Sequence, residues 1–181
     1  MDIKKGKTRI RNAESDDCEK LAAWWNDGAV MAHAGFPAGL GITADEIRRK
    51  IASDSDVARR RLMIEHDGIP VGEMSYSTKA SDTAKIGVNI CESSYRNKGL
   101  GRVILSLLIK ELFSSGYKKI ILDTNPKNER ARHVYEKLGF LKLRVNIDSW
   151  KDQTGALQSS IDYELTPEQF IDLSGSKTDL E

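Results

Sequence analysis

"SYRNKGLGRVILSLLIKELF", residues 94–113, sets two glycines in a basic turn directly against a long apolar run. Beyond the glycines, Val103, Ile104, Leu107, Leu108, Leu112 and Phe113 recur at helical spacing, and Leu105 and Ile109 widen the apolar surface. That spacing predicts a helix packed broadly on a sheet and stopped at Gly116. "AKIGVNI", just upstream, reads as a strand. A strand, a glycine turn without side chains in the way and a helix start together aim several backbone N–H groups at one point. The helix dipole favours an anion there, so the stretch is a phosphate cradle in outline. A P-loop would need Gly-Lys-Ser/Thr at the end of its longer loop, and none occurs; a dinucleotide fingerprint needs a third glycine where Ile104 stands. An isolated Gly-x-Gly would serve only a turn and close packing, so the surroundings carry the reading.

Working outward, "KKIILD" is a short apolar strand that follows a helix, which predicts parallel pairing with "AKIGVNI" across the crossover. "NERARHVYEKLGF" reads as a further helix with Ala131, Val134, Tyr135 and Leu138 on one face and Gly139 as its stop. "FLKLRVNIDSW" and "LQSSIDYEL" read as a closing antiparallel pair around a Gly-containing turn. Towards the start, "TRIRNAE" is a first strand and "SDDCEKLAAWW" a helix capped by Ser15, with Trp25 in the core. Thr43 and Glu46 stand at capping-box spacing before a short second helix, and the segment between these helices is loop-like. "RLMIEHDGIPVGEMSYS" reads as two strands joined at Asp67-Gly68. The expected fold is α/β (α+β). It is one domain over residues 1–173, a mixed, mostly antiparallel sheet of six to seven strands flanked by helices, with a flexible polar tail over 174–181.

Composition bounds the function. The chain has 181 residues, 39% of them hydrophobic, enough for one well-buried core. Charges nearly cancel, 28 Lys+Arg against 27 Asp+Glu, so the totals argue for neither a nucleic-acid nor an anionic-membrane partner. The opening "MDIKKGKTRI" lacks a signal peptide's apolar core, and no apolar run reaches the roughly 18 residues of a membrane span. Two distant cysteines, Cys18 and Cys91, suggest a reducing compartment, and the cytoplasm is the expected location.

Arg96-x-x-Gly99-x-Gly101 resembles the pyrophosphate loop of the GNAT superfamily of acyl-CoA N-acyltransferases, whose pattern is Arg/Gln-x-x-Gly-x-Gly/Ala. "NERARHVYEKLGF" resembles that superfamily's later motif and follows the first block at the expected distance. The likeness is specific over residues 84–140, and the order of elements extends it over most of the rest.

The resemblance implies a single GNAT-like domain with a splayed parallel strand pair in its centre, and acetyl-CoA as acyl donor. Backbone N–H groups of Asn97, Lys98, Gly99, Leu100, Gly101 and Arg102 would bind the pyrophosphate, helped by the charges of Arg96, Lys98 and Arg102. Asn128 would hydrogen-bond the cofactor, with Asn125, Arg130 and Ala131 beside it. Val88, Asn89 and Ile90 would line the slot that takes the pantetheine arm as an added strand. An N–H near Asn89 or Ile90 would polarise the thioester carbonyl, and Tyr135 would protonate the departing thiolate or else be simply a core residue. An amine held close to an activated thioester attacks it directly, in a ternary complex.

Many family members carry a carboxylate on the strand before the loop, but "AKIGVNI" offers Lys85, Gly87 and Asn89. Glu73 and Glu92 are the substitutes, although a carboxylate so placed is more often a solvated surface group than a base, and water is the third alternative. Trp24, His33 and Phe36 are candidates for the lip of an acceptor cleft bordered by "SWKDQTGALQSS". The three histidines lack partners at metal spacing, and no metal is expected. The acceptor is an amine, whether a small molecule, an aminoglycoside-like compound or a protein N-terminus; a homodimer is the expected assembly if the chain does not act alone. The missing carboxylate leaves a noncatalytic acyl-CoA-binding sensor or interaction module open as the alternative.

Overall fold

The computed structural model describes residues 1–180, in which the apolar periodicities become one eight-stranded sheet. In chain order the strands are β1 (Asp2–Lys5), β2 (Thr8–Asn12), β3 (Arg59–His66), β4 (Ile69–Ala80), β5 (Thr83–Ile90), β6 (Lys119–Thr124), β7 (Leu141–Lys151) and β8 (Leu157–Leu165). They lie in the order β1-β2-β3-β4-β5-β6-β8-β7, and every neighbouring pair is antiparallel except β5–β6. The parallel pair expected from the sequence is therefore at the centre. The sheet has one strand more than the upper end of the expected six to seven. The addition, β1, pairs with β2 across a turn at Gly6, whose φ of 56° suits glycine.

Helix α4 (Leu100–Ser114) crosses one face of the sheet. Leu100, Ile104, Leu108, Ile109 and Leu112 join Ile10, Leu62, Ile64, Ala84 and Ile120 in the main core, which also takes Tyr135 and Leu138 from α5 (Glu129–Lys137). The opposite face is covered by α1 (Cys18–Trp25) and α3 (Ala44–Ala52), whose Leu21, Trp25 and Ile47 meet Met63 and Cys91. Adjacent residues of β3, Met63 and Leu62, thus face different cores, as the two-residue strand period requires.

Local signals mostly hold. Asp67 and Gly68 adopt φ of 55° and 77°, the left-handed pair a two-residue hairpin turn needs. Thr43 and Glu46 form the reciprocal capping box of α3. Ser15 does not cap α1: Glu14 and Asp17 make the box of the preceding 3-10 turn, and the Ser15 hydroxyl accepts from Arg48 instead. The loop-like segment after α1 contains the single turn α2 (Gly28–Met31). The residues expected as a polar tail make specific contacts: Ser174 is buried, and the Asp179 N–H donates to the Lys98 carbonyl at 2.9 Å.

Candidate active site

Strands β5 and β6 pair only over Thr83–Lys85 and Lys119–Ile121, then separate. Lys85 and Asp123 form an ion pair where they part. Beyond it lies a cleft of about 960 Å³, lined by Val88, Asn89 and Ile90 from β5 and by Leu122, Asp123, Thr124 and Asn125 from the β6 side. Each strand keeps its outer partner, β4 or β8, so the edges facing the cleft carry unpaired main-chain groups. Alternation decides which ones. The Cys91 N–H donates to Val71 on the β4 side, so Asn89 turns the same way and Ile90 and Val88 present their N–H groups to the cleft. Of the two residues expected to supply a polarising N–H, Ile90 is the one so oriented.

The glycine turn closes one end of the cleft. Asn97 and Gly99 take left-handed φ of 63° and 80°, and α4 begins at Leu100, leaving its first N–H groups without intrahelical partners. Asn97, Gly99, Gly101 and Arg102 line the cleft. A Cβ at Gly101 would meet nothing closer than Ile90 Cδ1 at 3.9 Å, so protein packing does not require glycine there; the open space belongs to the cleft. Leu100 turns its side chain into the core at 1% exposure and contributes only its backbone, and Lys98 does not line the cleft. The cations are less free than the sequence suggests. Arg96 donates to the carbonyl oxygens of Ile90 and Cys91, and Arg102 donates to that of Lys177 while its buried Nε has no partner among the described residues.

Helix α5 supplies the opposite wall through Asn128, Arg130, Ala131 and Tyr135. Asn128 is the cap of α5, its side-chain oxygen accepting from the Ala131 N–H at 3.2 Å, and Asn125 donates to Gln158 at 3.0 Å while accepting from the Lys127 N–H. Both asparagines shape the wall, and the polar atoms expected for a cofactor are largely committed to it. Tyr135 is 7% exposed, packed at steep ring angles between Phe140 and Tyr163 with ring centroids at 5.7 and 5.8 Å, and lines the cleft. Burial, then the Asp123 charge and Tyr163, push the phenol's pKa well up, so it keeps its proton at neutral pH.

The remaining wall comes from distant segments joined by contact. Trp150 of β7 lies against Gly35, and Gln153 bonds to Ala38 N–H and to the Gly39 carbonyl, fixing the loop after α2 to the β7–β8 hairpin. His33, Trp150, Ser159 and Ser160 line the cleft there. Burial and the nearby Arg96 charge lower the His33 pKa and hold the imidazole neutral at neutral pH. Trp150 and the two serines lay within a segment expected to border the cleft, but nothing in the sequence singled them out.

Four of the candidates for base or acceptor lip stand outside the lining. Trp24 is 5% exposed in the second core, its indole donating to Glu92 at 2.9 Å, and Phe36 does not line the cleft. Glu92 is held by Trp24 and Lys20, and these bonds lower its pKa, so it stays ionised away from the cleft. Glu73 pairs across β4–β5 with Asn89, immediately behind the cleft wall. Burial pushes its pKa up to about 7, partly countered by the 2.7 Å bond from Trp25 Nε1. Among the described residues no cluster of His, Cys, Asp and Glu is arranged to hold a metal ion, and no helix is long and apolar enough to cross a membrane.

A mixed sheet opened at its one parallel pair, with a glycine turn and helix start facing the gap, is the build that the resemblance implied. The sequence matches the Acetyltransferase (GNAT) family over residues 31–140, more than half of the chain, and the protein belongs to that family. It is 29% identical over 145 residues to the mycothiol acetyltransferase of Propionibacterium freudenreichii, an alignment covering 77% of this chain but only 45% of that protein. It is 25% identical over 170 residues to the L-amino acid N-acyltransferase MnaT of Escherichia coli K12, covering 88% of this chain and 97% of that one. Among solved structures, a spermidine N-acetyltransferase from Vibrio cholerae in complex with CoA and spermine superposes with a TM-score of 0.78 at 18% identity, covering 90% of this chain and 97% of that chain. An acetyltransferase from Salmonella typhimurium with its cofactor acetyl-CoA gives 0.74 at 21%, covering 89% and 94%. At such identities the solved structures speak for the fold.

Proposed function

We propose that the protein is an acetyl-CoA-dependent N-acetyltransferase that passes the acetyl group directly to a primary amine in a ternary complex. The observation carrying this reading is the β5–β6 splay ending on the glycine turn, which gives an elongated donor a strand-like slot and its phosphates a set of free N–H groups. The space above Gly101 fits that occupant. When bound, acetyl-CoA supplies an acyl group already activated as a thioester.

The chain's own residues then bind, orient and move protons. The N–H groups of Gly99 to Arg102 hold the pyrophosphate, with the Arg102 guanidinium beside them. Val88 and Ile90 align the pantetheine through main-chain bonds, and the Ile90 N–H stabilises the negative charge developing on the carbonyl oxygen. Tyr135 offers its proton to the departing sulfur. Glu73, with a pKa near neutrality, takes the amine's proton through a bridging water behind Asn89. The mycothiol, amino-acid and spermidine enzymes among the relatives support an amine as acceptor.

Amine-dependent release of free thiol from acetyl-CoA across a broad panel tests the reading. One observation favours a second reading, an acyl-CoA-binding sensor: β5 carries Lys85, Gly87 and Asn89 where a carboxylate would serve as base. Tight acetyl-CoA binding without turnover on any amine, across the panel and a range of pH, would establish the sensor instead.

A further inference from the structure

The charges around the cleft discriminate among amines. Its lining carries the cations Arg96, Arg102, Lys127, Arg130 and Lys137, and among the described residues its sole carboxylate is Asp123, already paired with Lys85. At the wall built by His33, Trp150, Ser159 and Ser160 no acid lines the cleft. Glu92, the carboxylate on which the Arg96 charge acts, is bound by Lys20 and Trp24. Glu73 stands behind Asn89 and is bound by Trp25.

Arg96 itself is fixed in place but not exhausted. Its Nε and Nη2 each make one bond, to Ile90 and Cys91, and Nη1 makes none to the described residues. An arginine clamped by two backbone carbonyls loses little entropy on receiving an anion. Arg96 lines the cleft together with His33, and its bond to Ile90 sets the guanidinium beside the strand residue whose N–H faces the cleft, at the start of the phosphate cradle.

We propose that the acceptor is a primary monoamine with a carboxylate beside the amine, of the α-amino-acid type, seated with its carboxylate on Arg96, and that polyamines are rejected. A polyamine brings several ammonium groups to a wall with no acid to receive them, next to a fixed guanidinium; like charges at close range cost affinity. A zwitterionic acceptor meets the guanidinium with its carboxylate and turns the amine towards the Ile90 end of β5. This inference rests on the acyl-transfer reading. The ammonium gives one proton to Glu73 through water, and the free amine forms the N–C bond as the C–S bond breaks; the thiolate takes a proton from Tyr135, the nitrogen's second proton restores the Tyr135 hydroxyl, and the acceptor's carboxylate is unchanged.

The test compares initial rates with acetyl-CoA on L-amino acids, on the corresponding L-amino acid amides and on spermidine, using the wild-type chain. The expected result is at least one amino acid with a kcat/KM about tenfold or more above that of its amide, and spermidine lower still. Arg96→Lys, which keeps the charge and loses the fork, should narrow the amino acid's kcat/KM advantage over its own amide, a ratio in which any change in donor binding cancels. Preference for amides or spermidine would overturn the acceptor class and leave acyl transfer standing. Binding of acetyl-CoA with no turnover of any of the three classes would overturn the acceptor class, and failure across the broad amine panel as well would overturn acyl transfer.

Discussion

Arg96 donates from Nε to the carbonyl oxygen of Ile90 at 2.7 Å, tying the first residue of the glycine-turn motif to the last residue of β5. Six residues that leave the sheet are thereby held against the strand they left. The Ile90 N–H, which faces the cleft, and the free N–H groups at the start of α4 become parts of one rigid unit. That unit fixes the distance between phosphates and reacting carbonyl in the proposed reaction.

Gly101→Glu should abolish acetyl-CoA binding, because the new carboxylate would occupy and repel the pyrophosphate's place. The fold should persist, since a Cβ there meets only Ile90 Cδ1, at 3.9 Å. Gly101→Ala should be milder for the same reason. Calorimetry and thermal melts on both variants check this; wild-type affinity in the Glu variant would remove the loop from the donor site.

Tyr135→Phe keeps the ring between Phe140 and Tyr163 and removes only the hydroxyl. Loss of a general acid should lower kcat roughly a hundredfold, with acetyl-CoA affinity little changed. Stability should shift by about 1 kcal/mol or less, because the Tyr135 hydroxyl makes no hydrogen bond among the described residues. Steady-state kinetics where chemistry limits turnover, with melts as control, separate donor from packing residue. Equal kcat values would return Tyr135 to the core.

Glu73 carries a pH signature with a definite sign. A base must be deprotonated, so kcat/KM should rise with pH through about 7, where burial has moved this carboxyl from its ordinary 4.5. The folded chain holds that proton to higher pH than the unfolded chain. The associated stability is therefore full below 4.5 and fades as pH climbs to about 7, by at most about 3 kcal/mol. Glu73→Gln should flatten both profiles. A pH–rate curve unchanged by the substitution would exclude Glu73 as the base.

Gly35→Ala probes the acceptor wall without touching the donor slot. Gly35 has φ of 93°, and a Cβ would come within 2.5 Å of the Trp150 ring, so the loop and the β7–β8 hairpin must part. The amine's KM should rise severalfold while acetyl-CoA affinity holds, at a stability cost of about 1–3 kcal/mol. Unchanged kinetics on the best amine would mean that Trp150 does not shape the acceptor site.

What the sequence disclosed and what it withheld divide along contact distance. The turn at Asp67-Gly68, the Thr43–Glu46 box and the strand–turn–helix around Gly99 are decided by residues a few positions apart, and each is visible in the chain. β1 was not, since "DIKK" has a single apolar residue and becomes a strand only by pairing with β2. Trp150, Ser159 and Ser160 reach the cleft because Gln153 fastens their hairpin to a loop more than a hundred residues earlier, a relation no local pattern records. Trp24 misled for the converse reason: an aromatic beside a loop suggests a lip, but its helix period turns it into the second core. The glycines and Arg96 were legible as a cradle; that Arg96 is bound to Ile90 and Cys91 was not.

The central claim is direct transfer from donor to amine within one ternary complex. Among the described residues no cysteine lines the cleft, both Cys18 and Cys91 being buried in the second core. The most direct measurement is initial velocity with acetyl-CoA and the best amine varied together. Intersecting lines in the double-reciprocal plot, with N-acetyl product formed in step with free thiol, are the predicted result. Parallel lines, with an acetylated protein trapped when the amine is withheld, would contradict it.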